Sequence, residues 1–305
     1  MPTPRTDSLL SPCVVVVKTP VASREGVTDR LARSGRRLAG GVEDAALEQE
    51  RTLAALQEAL AQRGVTPVTV SIDAVDARAR RALAGARLVI SVGGDGTLLA
   101  VSHWITRAAL LGVNSAPRSS VGYLTLTRRA TLARILASIE RGTLLPLAIA
   151  RIEVELEGRR LTPALNDVLV AHEQPAATSR YRLRLGRRAE DHRSSGLWVA
   201  TAAGSTAGIR SAGGEEMPLG SRRLQFRARE LYRARGHRAA SLESGFVEEG
   251  RELIVESAME AGWLFVDGAR LAIRFPFGAR ATFRAAEQPL LLFADPARWT
   301  PASAG

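Results

Sequence analysis

Five consecutive residues, Gly93-Gly94-Asp95-Gly96-Thr97, join glycines to a carboxylate directly after the apolar run Leu88–Val92. Glycine has no Cβ atom, so the backbone N–H groups of such a loop can approach a phosphate closely, and a following helix N-terminus adds partial positive charge. A carboxylate in a phosphate loop would repel the ligand, so Asp95 needs a further purpose. It could bind Mg²⁺, accept a proton from an attacking hydroxyl, or cap the following helix.

A second polar pair, Asn166-Asp167, interrupts the apolar run LNDVLV. Asparagine and aspartate are poor strand formers, so their presence in a strand suggests side chains that face a ligand. The amide can donate and accept hydrogen bonds, and the carboxylate can accept two from ribose hydroxyls. The alternative is a β-bulge or an edge position, where neither residue would need a ligand.

A third segment, Ser194–Gly214, runs from an apolar strand into small and hydroxyl-bearing residues. Small side chains would let a planar ligand approach the backbone, although close packing of a helix on a strand would need the same composition. A fourth feature, Val266-Asp267-Gly268, is interpreted as a hairpin turn only.

The first half of the chain alternates strand and helix patterns, which indicates βαβ units and a Rossmann-like parallel sheet. Ligands of open α/β sheets bind at the carboxyl ends of the strands, which is where the Gly93–Thr97 loop falls. We predict strands at Cys13–Lys18, Val68–Ile72, Leu88–Val92 and Leu110–Val113, and helices at Glu43–Arg63, Ala74–Leu83 and Leu98–Ile105. Residues 35–42 are predicted to form a loop.

The second half shows period-two alternation in short runs, beginning with Ile152–Leu156 and Tyr181–Leu185 and continuing beyond Leu253. Short, closely spaced strands with almost no helix are typical of an antiparallel sandwich. We therefore predict an α/β domain at 1–145 with the phosphate-binding loop, an all-β sandwich-like domain at 146–295 that binds a dinucleotide, and a tail at 296–305.

Composition excludes several classes of protein. The single cysteine rules out an intrachain disulfide and a cysteine-based zinc site, and no spacing of ligands points to any metal-binding residues. No apolar run is long enough for a membrane span, and the N-terminus lacks a signal pattern, so we expect a cytoplasmic protein. The net charge of +11 is compatible with a solvated arginine-rich surface, an anionic small substrate or a nucleic acid. No nucleic-acid-binding motif is present, so we expect no such partner.

Taken in order, these segments resemble the NAD kinase family. The family has a GGDGT loop, a Gly-Val/Ile-Asn segment, an Asn-Glu pair, a GSTAY-type segment followed by Ser-Ala-Gly-Gly, and a late Asp-Gly turn. The matching segments here are Gly93–Thr97, Gly112–Asn114, Asn166-Asp167, Gly204–Ala207 with Ser211–Gly214, and Asp267-Gly268. The stretch after Gly214 is similar to the plant, NADH-kinase-like or organellar branch.

The resemblance implies a kinase that transfers phosphate from ATP, bound with Mg²⁺, to the adenosine ribose 2′-hydroxyl of NAD or NADH. Asp95 would be the catalytic residue. The implied substrate-binding residues are Gly93, Gly94, Gly96, Thr97, Asn114, Asn166, Asp167, Thr206, Ala207 and Ser211. The family also implies a homo-oligomer, at least a dimer.

Three residues depart from the family pattern: Asp167 replaces its Glu, Ser195 its Asp, and Gly208 its Tyr. An aromatic stacking partner and a carboxylate near the dinucleotide are therefore missing. Two alternatives follow. One is a non-catalytic dinucleotide sensor, which would not need Asp95 as a base. The other is a lipid kinase of the diacylglycerol-kinase type, which should lack the Asn166-Asp167 pair.

Overall fold

The computed structural model describes residues 9–19, 36–118, 120–233 and 242–299, with the backbone alone for 36–40. The chain divides into two compact units. The first contains residues 1–147 and 290–295, and the second contains residues 148–289 and 296–305.

The first unit is built on a mainly parallel sheet. Its strands are β1 (Cys13–Val17), β2 (Val68–Ser71), β3 (Leu88–Gly93), β4 (Ala109–Asn114), β5 (Thr127–Arg128), β6 (Leu147–Ile149) and β19 (Leu290–Phe293). The order is β2-β1-β3-β4-β19-β6, and β5 pairs with β4. The pairs β1–β2, β1–β3, β3–β4 and β4–β19 are all parallel.

Among the described residues, four helices connect these strands: α1 (Arg36–Ala61), α2 (Ala77–Gly85), α3 (Asp95–Ser102) and α4 (Leu132–Glu140). Apolar residues of β3 and β4 are buried throughout, as expected for strands covered on both faces. In α4, Leu132, Ile135, Leu136 and Ile139 recur at helical spacing and bury one side. This helix was not predicted from the sequence, although its pattern is amphipathic.

The second unit contains two six-stranded sheets. The strands are β7 (Ile152–Leu156), β8 (Arg159–Arg160), β9 (Asp167–His172), β10 (Ser179–Leu185), β11 (Arg188–Ser194), β12 (Gly196–Ala200), β13 (Leu224–Arg229), β14 (Ser244–Val247), β15 (Leu253–Ser257), β16 (Gly262–Val266), β17 (Leu271–Arg274) and β18 (Arg280–Ala285). One sheet has the order β11-β10-β15-β18-β7-β8, and the other has the order β14-β13-β12-β9-β16-β17.

A single apolar core lies between these two sheets. It includes Val154 and Phe283 from one sheet and Val168, Leu197 and Phe226 from the other. Alternate residues of each strand therefore point into the core, while their neighbours point outward. The unit is an antiparallel sandwich, and together with the parallel sheet it confirms the predicted fold class.

Three sequence predictions were wrong at element level. The strand β19 was assigned to the second domain, yet it pairs in parallel with β4 of the first sheet. Residues 296–305 were predicted as a tail, but Pro296–Trp299 forms a 3₁₀ turn whose Trp299 side chain is buried. The Trp299 indole N–H donates to the carbonyl of Ala203, 3.3 Å away. The remaining tail residues, 300–305, lie outside the described residues.

The third error concerns the predicted loop at 35–42. Residue 35 lies outside the described residues, and 36–42 belong to the long helix α1. Two adjacent glycines weaken a helix by about 1 kcal/mol each, which explains the loop prediction, but twenty further residues of good helix-forming composition extend the same helix. Among the helices that the structure describes, none is sufficiently long and apolar to span a membrane.

Candidate active site

The glycine loop lies where β3 ends at Gly93 and α3 begins at Asp95, with Gly94 as the N-cap residue. Two of its glycines are required by packing. A Cβ atom on Gly93 would lie 2.3 Å from Oγ1 of Thr97, and one on Gly94 would lie 2.6 Å from Oγ of Ser120. Gly96 is different, because a Cβ atom there would meet nothing within 4 Å. The absence of a side chain at Gly96 therefore has no explanation in packing.

Asp95 is half-buried at the first position of α3, and its carboxylate does not cap that helix. It instead accepts two backbone hydrogen bonds from a segment almost thirty residues later. The N–H of Tyr123 donates to Oδ2 at 2.7 Å, and the N–H of Leu124 donates to Oδ1 at 2.8 Å. Each oxygen accepts one of these bonds, and a carboxylate has about four acceptor positions in total. Asp95 can thus hold the segment at Tyr123 and Leu124 in place and still accept a hydrogen bond from a further donor.

Asn114, at the end of β4, uses its amide on the backbone of the adjoining loop. Its Nδ2 donates to the carbonyl of Ser120 at 3.1 Å, and its Oδ1 accepts from the N–H of Ala116 at 3.1 Å. Gly122, with φ of 65°, fits beside it because a Cβ atom there would lie 2.2 Å from Nδ2 of Asn114. These contacts make Asn114 an anchor of the loop. Its contact with a nucleotide stays a prediction.

Asn166 and Asp167 lie at the start of β9 in the second unit. The carbonyl of Asn166 accepts from the N–H of Thr201 at 2.9 Å, and a Cβ atom on Gly204 would lie 2.1 Å from that oxygen. The side-chain Oδ1 of Asn166 is buried and has no hydrogen-bond partner among the described residues. An amide oxygen without a partner is costly to bury, so it marks a position at which a bound donor would be stabilising.

Asp267 holds the backbone of this pair, a role that was missed when Val266–Gly268 was interpreted as a turn. Its carboxylate accepts from the N–H groups of Leu165, Asn166 and Asp167 at 2.8, 2.7 and 3.1 Å. Its own N–H donates to the carbonyl of Asp167 at 2.9 Å. The backbone at Asp267 has φ of 50°, a conformation that aspartate tolerates better than most residues. The turn is present, and the carboxylate of Asp267 also holds the backbone of Asn166 and Asp167 in place.

The buried carboxylate of Asp167 and the buried guanidinium of Arg151 lie near the half-buried carboxylate of Asp267. Burial and the nearby charge of Asp267 raise the pKa of Asp167 to about 7. Burial lowers the pKa of Arg151, and the opposite charge of Asp267 partly offsets that effect. Arg151 is 3% exposed, so its charge acts on Asp267 with little screening by water. Near neutral pH, Asp167 can therefore offer either an O–H donor or a carboxylate acceptor.

The segment after β12 forms a 3₁₀ turn, Ala203–Thr206, and a short helix, α5 (Gly208–Ser211). Two hydroxyls maintain its shape. Thr201 donates to the carbonyl of Leu165 at 2.6 Å, and Ser205 accepts from the N–H of Met217 at 3.0 Å. Close packing therefore explains part of the small-residue composition. Thr206 and Ala207 are half-buried, and Ser211 is exposed.

The structure thus brings the predicted residues together in two groups. Gly93, Gly94, Asp95, Thr97 and Asn114 form or adjoin the loop of the first unit. In the second unit Asp267 holds Asn166 and Asp167, and the Thr206–Ser211 segment packs against β12. A parallel sheet carrying a glycine-rich loop of the phosphate-binding kind, followed by an antiparallel sandwich, defines a class of two-domain nucleotide-binding proteins.

Comparison with known proteins finds similarity to NAD and NADH kinases. Residues 27–144 match the model of the ATP-NAD kinase N-terminal domain. The chain is 41% identical over 207 residues to a probable NADH kinase of Oryza sativa subsp. japonica, covering 60% of this chain and 63% of the relative. It is 36% identical over 208 residues to the NADH kinase of Arabidopsis thaliana, covering 60% of this chain and 65% of the relative. The aligned region thus spans somewhat less than two thirds of either plant relative.

Two solved structures share the fold. The NAD kinase of Archaeoglobus fulgidus in complex with ATP superimposes with a TM-score of 0.65 at 20% identity, over 94% of this chain and 95% of that one. Yeast NADH kinase complexed with NADH superimposes with a TM-score of 0.66 at 15% identity, over 94% of this chain and 84% of that one. The chain is thus similar to NAD kinases and in particular to the plant NADH kinases. The lipid-kinase and sensor alternatives are not favoured.

Proposed function

We propose that this protein transfers the γ-phosphoryl group of ATP to the adenosine ribose 2′-hydroxyl of NAD or NADH, giving ADP and NADP or NADPH. The observation that carries the proposal is the placement of Asp95. A carboxylate at the first position of a helix that follows a glycine loop is unfavourable for phosphate binding alone, but it suits a reaction in which a hydroxyl must be oriented and deprotonated.

In this reaction the 2′-oxygen attacks the γ-phosphorus, and the bond from that phosphorus to the β,γ-bridging oxygen breaks. The proton of the hydroxyl passes to Asp95, whose two backbone hydrogen bonds fix the direction of its remaining acceptor positions. Backbone N–H groups around Gly94 and Gly96 at the start of α3 bind the phosphates, and Gly93 and Thr97 shape the loop, since the N–H of Thr97 donates to the carbonyl of Gly94 at 3.0 Å. Because the transition state is loose, positioning and neutralisation of charge supply most of the acceleration.

Recognition of the acceptor is assigned to the second unit. The buried Oδ1 of Asn166 accepts a hydrogen bond from a ribose hydroxyl or an amide of the dinucleotide, which satisfies its acceptor capacity. Asp167, with a pKa raised to about 7, donates or accepts at the same ribose. Thr206, Ala207 and Ser211 provide small side chains along which the dinucleotide lies.

Three further features belong to the proposal. Mg²⁺ accompanies ATP and is held chiefly by phosphate oxygens, as magnesium in phosphoryl-transfer sites commonly is. The protein is proposed to act as a homo-oligomer, at least a dimer, which the family resemblance supports, and to act in the cytoplasm.

The test is a coupled assay for NADP and NADPH with purified protein, Mg²⁺, ATP and either NAD⁺ or NADH. We expect turnover with at least one acceptor, and phosphorus NMR of the product should show a 2′-phosphomonoester. If neither acceptor is phosphorylated while calorimetry still detects the dinucleotide, the kinase proposal is wrong and a sensor function replaces it. A product phosphorylated at another position would contradict the assigned chemistry.

A further inference from the structure

A cavity of about 290 Å³ lies against the outward face of the sheet that contains β9, β12 and β16. Its apolar wall is formed by Leu169, Trp198 and Phe265, and Ser195 and Arg229 supply polar groups. This volume is close to the lower end of the range for small-molecule sites, and an apolar wall with a few polar groups is their usual composition.

Strand register explains why these side chains form one wall. Leu169 pairs with Trp198 on one side and with Phe265 on the other, so the three side chains stand in a row across three strands. Asp167 lies two residues before Leu169 and therefore points to the same side of the sheet, roughly 7 Å along the strand. The aromatic row and the carboxylate of the proposed ribose site thus share one face.

Trp198 also lies against the segment that follows Thr206 and Ala207. A Cβ atom on Gly208 would be 2.7 Å from Cζ2 and 3.0 Å from Cη2 of the Trp198 ring. No side chain fits at Gly208 while the indole keeps this position. The glycine therefore leaves room for the indole, and the aromatic group of this part of the fold comes from the strand β12 instead of the helix α5.

Part of the indole is accessible to a ligand, because Trp198 is half-buried and lines the cavity. The guanidinium of Arg229 lies 5.9 Å from the ring centroid and lines the same cavity. An aromatic plane with an adjacent cation suits a planar heterocycle attached to a phosphate, since the ring stacks and the phosphate pairs with the guanidinium.

We propose that Trp198 is the stacking surface for a planar heterocycle of the dinucleotide acceptor, in place of the side chain that Gly208 lacks. This inference rests on the proposed function, since the acceptor is the ligand of that reaction. The two heterocycles of a dinucleotide, nicotinamide and adenine, share the chemistry that the cavity recognises. Trp198 acts on affinity for the acceptor and has no part in proton transfer.

The experiment compares the dissociation constants of NADH and ATP by calorimetry for the wild type, Trp198→Ala, Trp198→Phe and Gly208→Tyr. A double variant, Trp198→Ala with Gly208→Tyr, tests whether the aromatic group can be moved to α5. Trp263→Ala is the matched control, because Trp263 is half-buried on the same sheet but does not line the cavity. Thermal unfolding of every variant reports whether it folds.

Trp198→Ala should weaken NADH binding about tenfold or more and leave ATP binding unchanged, since stacking of a base on an aromatic side chain has that magnitude. Trp198→Phe should lose less than threefold, and Trp263→Ala should bind NADH about as the wild type does. Gly208→Tyr alone should unfold at a lower temperature because of the clash, and the double variant should recover both stability and part of the affinity.

Reduced nicotinamide mononucleotide and AMP, used as separate probes, identify the ring: the one whose binding weakens in Trp198→Ala is the ring that stacks. If Trp198→Ala binds NADH and both mononucleotides as the wild type does, the proposal is overturned while the kinase function stands. If the wild type binds no dinucleotide at all, the proposed function fails, and the assignment of Trp198 fails with it.

Discussion

Asp95 in the first unit and Asp267 in the second make the same kind of contact with the backbone, but their surroundings differ. Each carboxylate accepts hydrogen bonds from backbone N–H groups far away in sequence: Asp95 from Tyr123 and Leu124, Asp267 from three successive residues, Leu165 to Asp167. Asp95 stands at a helix N-terminus beside a glycine that has open space around it. Asp267 is coupled to the buried charges of Arg151 and Asp167.

The comparison separates a carboxylate that can react from one that holds a structure. A group that takes up a proton during turnover needs a further acceptor position and access to the substrate; each oxygen of Asp95 accepts one backbone hydrogen bond, and the side chain is half-buried beside the open Gly96. Asp267 instead keeps the backbone of Asn166 and Asp167 in place, so that their side chains are presented. Removing the first should therefore affect turnover most, and removing the second should affect stability most.

The largest expected effect is on turnover in Asp95→Asn. The amide keeps an oxygen for one of the two backbone N–H groups but cannot accept a proton, so turnover should fall about 10²- to 10⁴-fold. The initial rate of NADP(H) formation measures it. Because one N–H loses its acceptor, the free energy of unfolding should also fall by about 1 to 3 kcal/mol.

Asp76→Asn is the control for this variant. Asp76 also accepts a backbone hydrogen bond, from Ala79, as the N-cap of α2, and asparagine caps a helix about as well as aspartate does. Its activity should be unchanged. Unimpaired turnover in Asp95→Asn would remove the distinction between Asp95 and Asp267 altogether.

The second effect is on stability in Asp267→Asn. The variant removes the charge that faces buried Arg151 and leaves one backbone N–H, that of Leu165, without its acceptor, which costs about 1 to 3 kcal/mol, so the thermal midpoint should fall by several degrees. Differential scanning calorimetry measures it. Asp191→Asn is the control, because Asp191 is 77% exposed and its ion pair with Arg182 should contribute less than about 1 kcal/mol. Equal midpoints for the two variants would show that Asp267 does not hold the site.

The third effect depends on pH and concerns Asp167. Its pKa is raised to about 7 in the folded protein, against about 4 in the unfolded chain, so the folded state alone holds this proton between those values. The stability that this group contributes is complete below about pH 4 and is lost as the pH rises through 7. Asp167→Asn should therefore be more stable than the wild type at pH 8, by roughly 2 to 4 kcal/mol, and about equal at pH 4.

Urea unfolding of the wild type and of Asp167→Asn at pH 4, 6 and 8 measures the difference between their free energies of unfolding. The same variant should lose affinity for the dinucleotide if Asp167 contacts the ribose. In that case Asp167 increases affinity for the ligand and lowers the stability of the folded protein. A stability difference that is independent of pH would show that Asp167 is ionised throughout, and the contrast with Asp95 would then rest on burial alone.

Prediction from sequence succeeded where the pattern is local. The period-two strands and the Gly93–Thr97 loop at the end of β3 were identified from short stretches, because each is defined by neighbours along the chain. The role of Asp267 could not be identified in this way, since its partners lie about a hundred residues earlier. The strand β19 was misassigned for the same reason: a short apolar run does not specify the sheet to which it belongs.

The position of Trp198 shows a further limit. The sequence shows that Gly208 lacks an aromatic side chain, and this absence suggests a lost function. Only the packing of the indole on Gly208 shows that the strand β12 places an aromatic group, Trp198, beside this position in α5. The amphipathic spacing of α4, by contrast, was available in the sequence and was overlooked.

The smallest effect sharpens the comparison at the loop itself, in Gly96→Ala. Gly93 and Gly94 are fixed by packing, but a methyl group on Gly96 meets no atom within 4 Å, so the fold alone would accept alanine. Since alanine favours a helix, the free energy of unfolding should rise by about 0.5 to 1 kcal/mol. Gly85→Ala is the control, at the end of α2, where a Cβ atom also meets nothing within 4 Å. Its free energy of unfolding should rise by a similar amount, and it should keep full activity.

If phosphates approach the loop backbone, Gly96→Ala should nevertheless raise the KM for ATP about tenfold, and steady-state kinetics at saturating NADH measures this. A more stable Gly96→Ala protein with an unchanged KM would show that the open glycine does not face the nucleotide, and that Asp95 is brought to its substrate from another side.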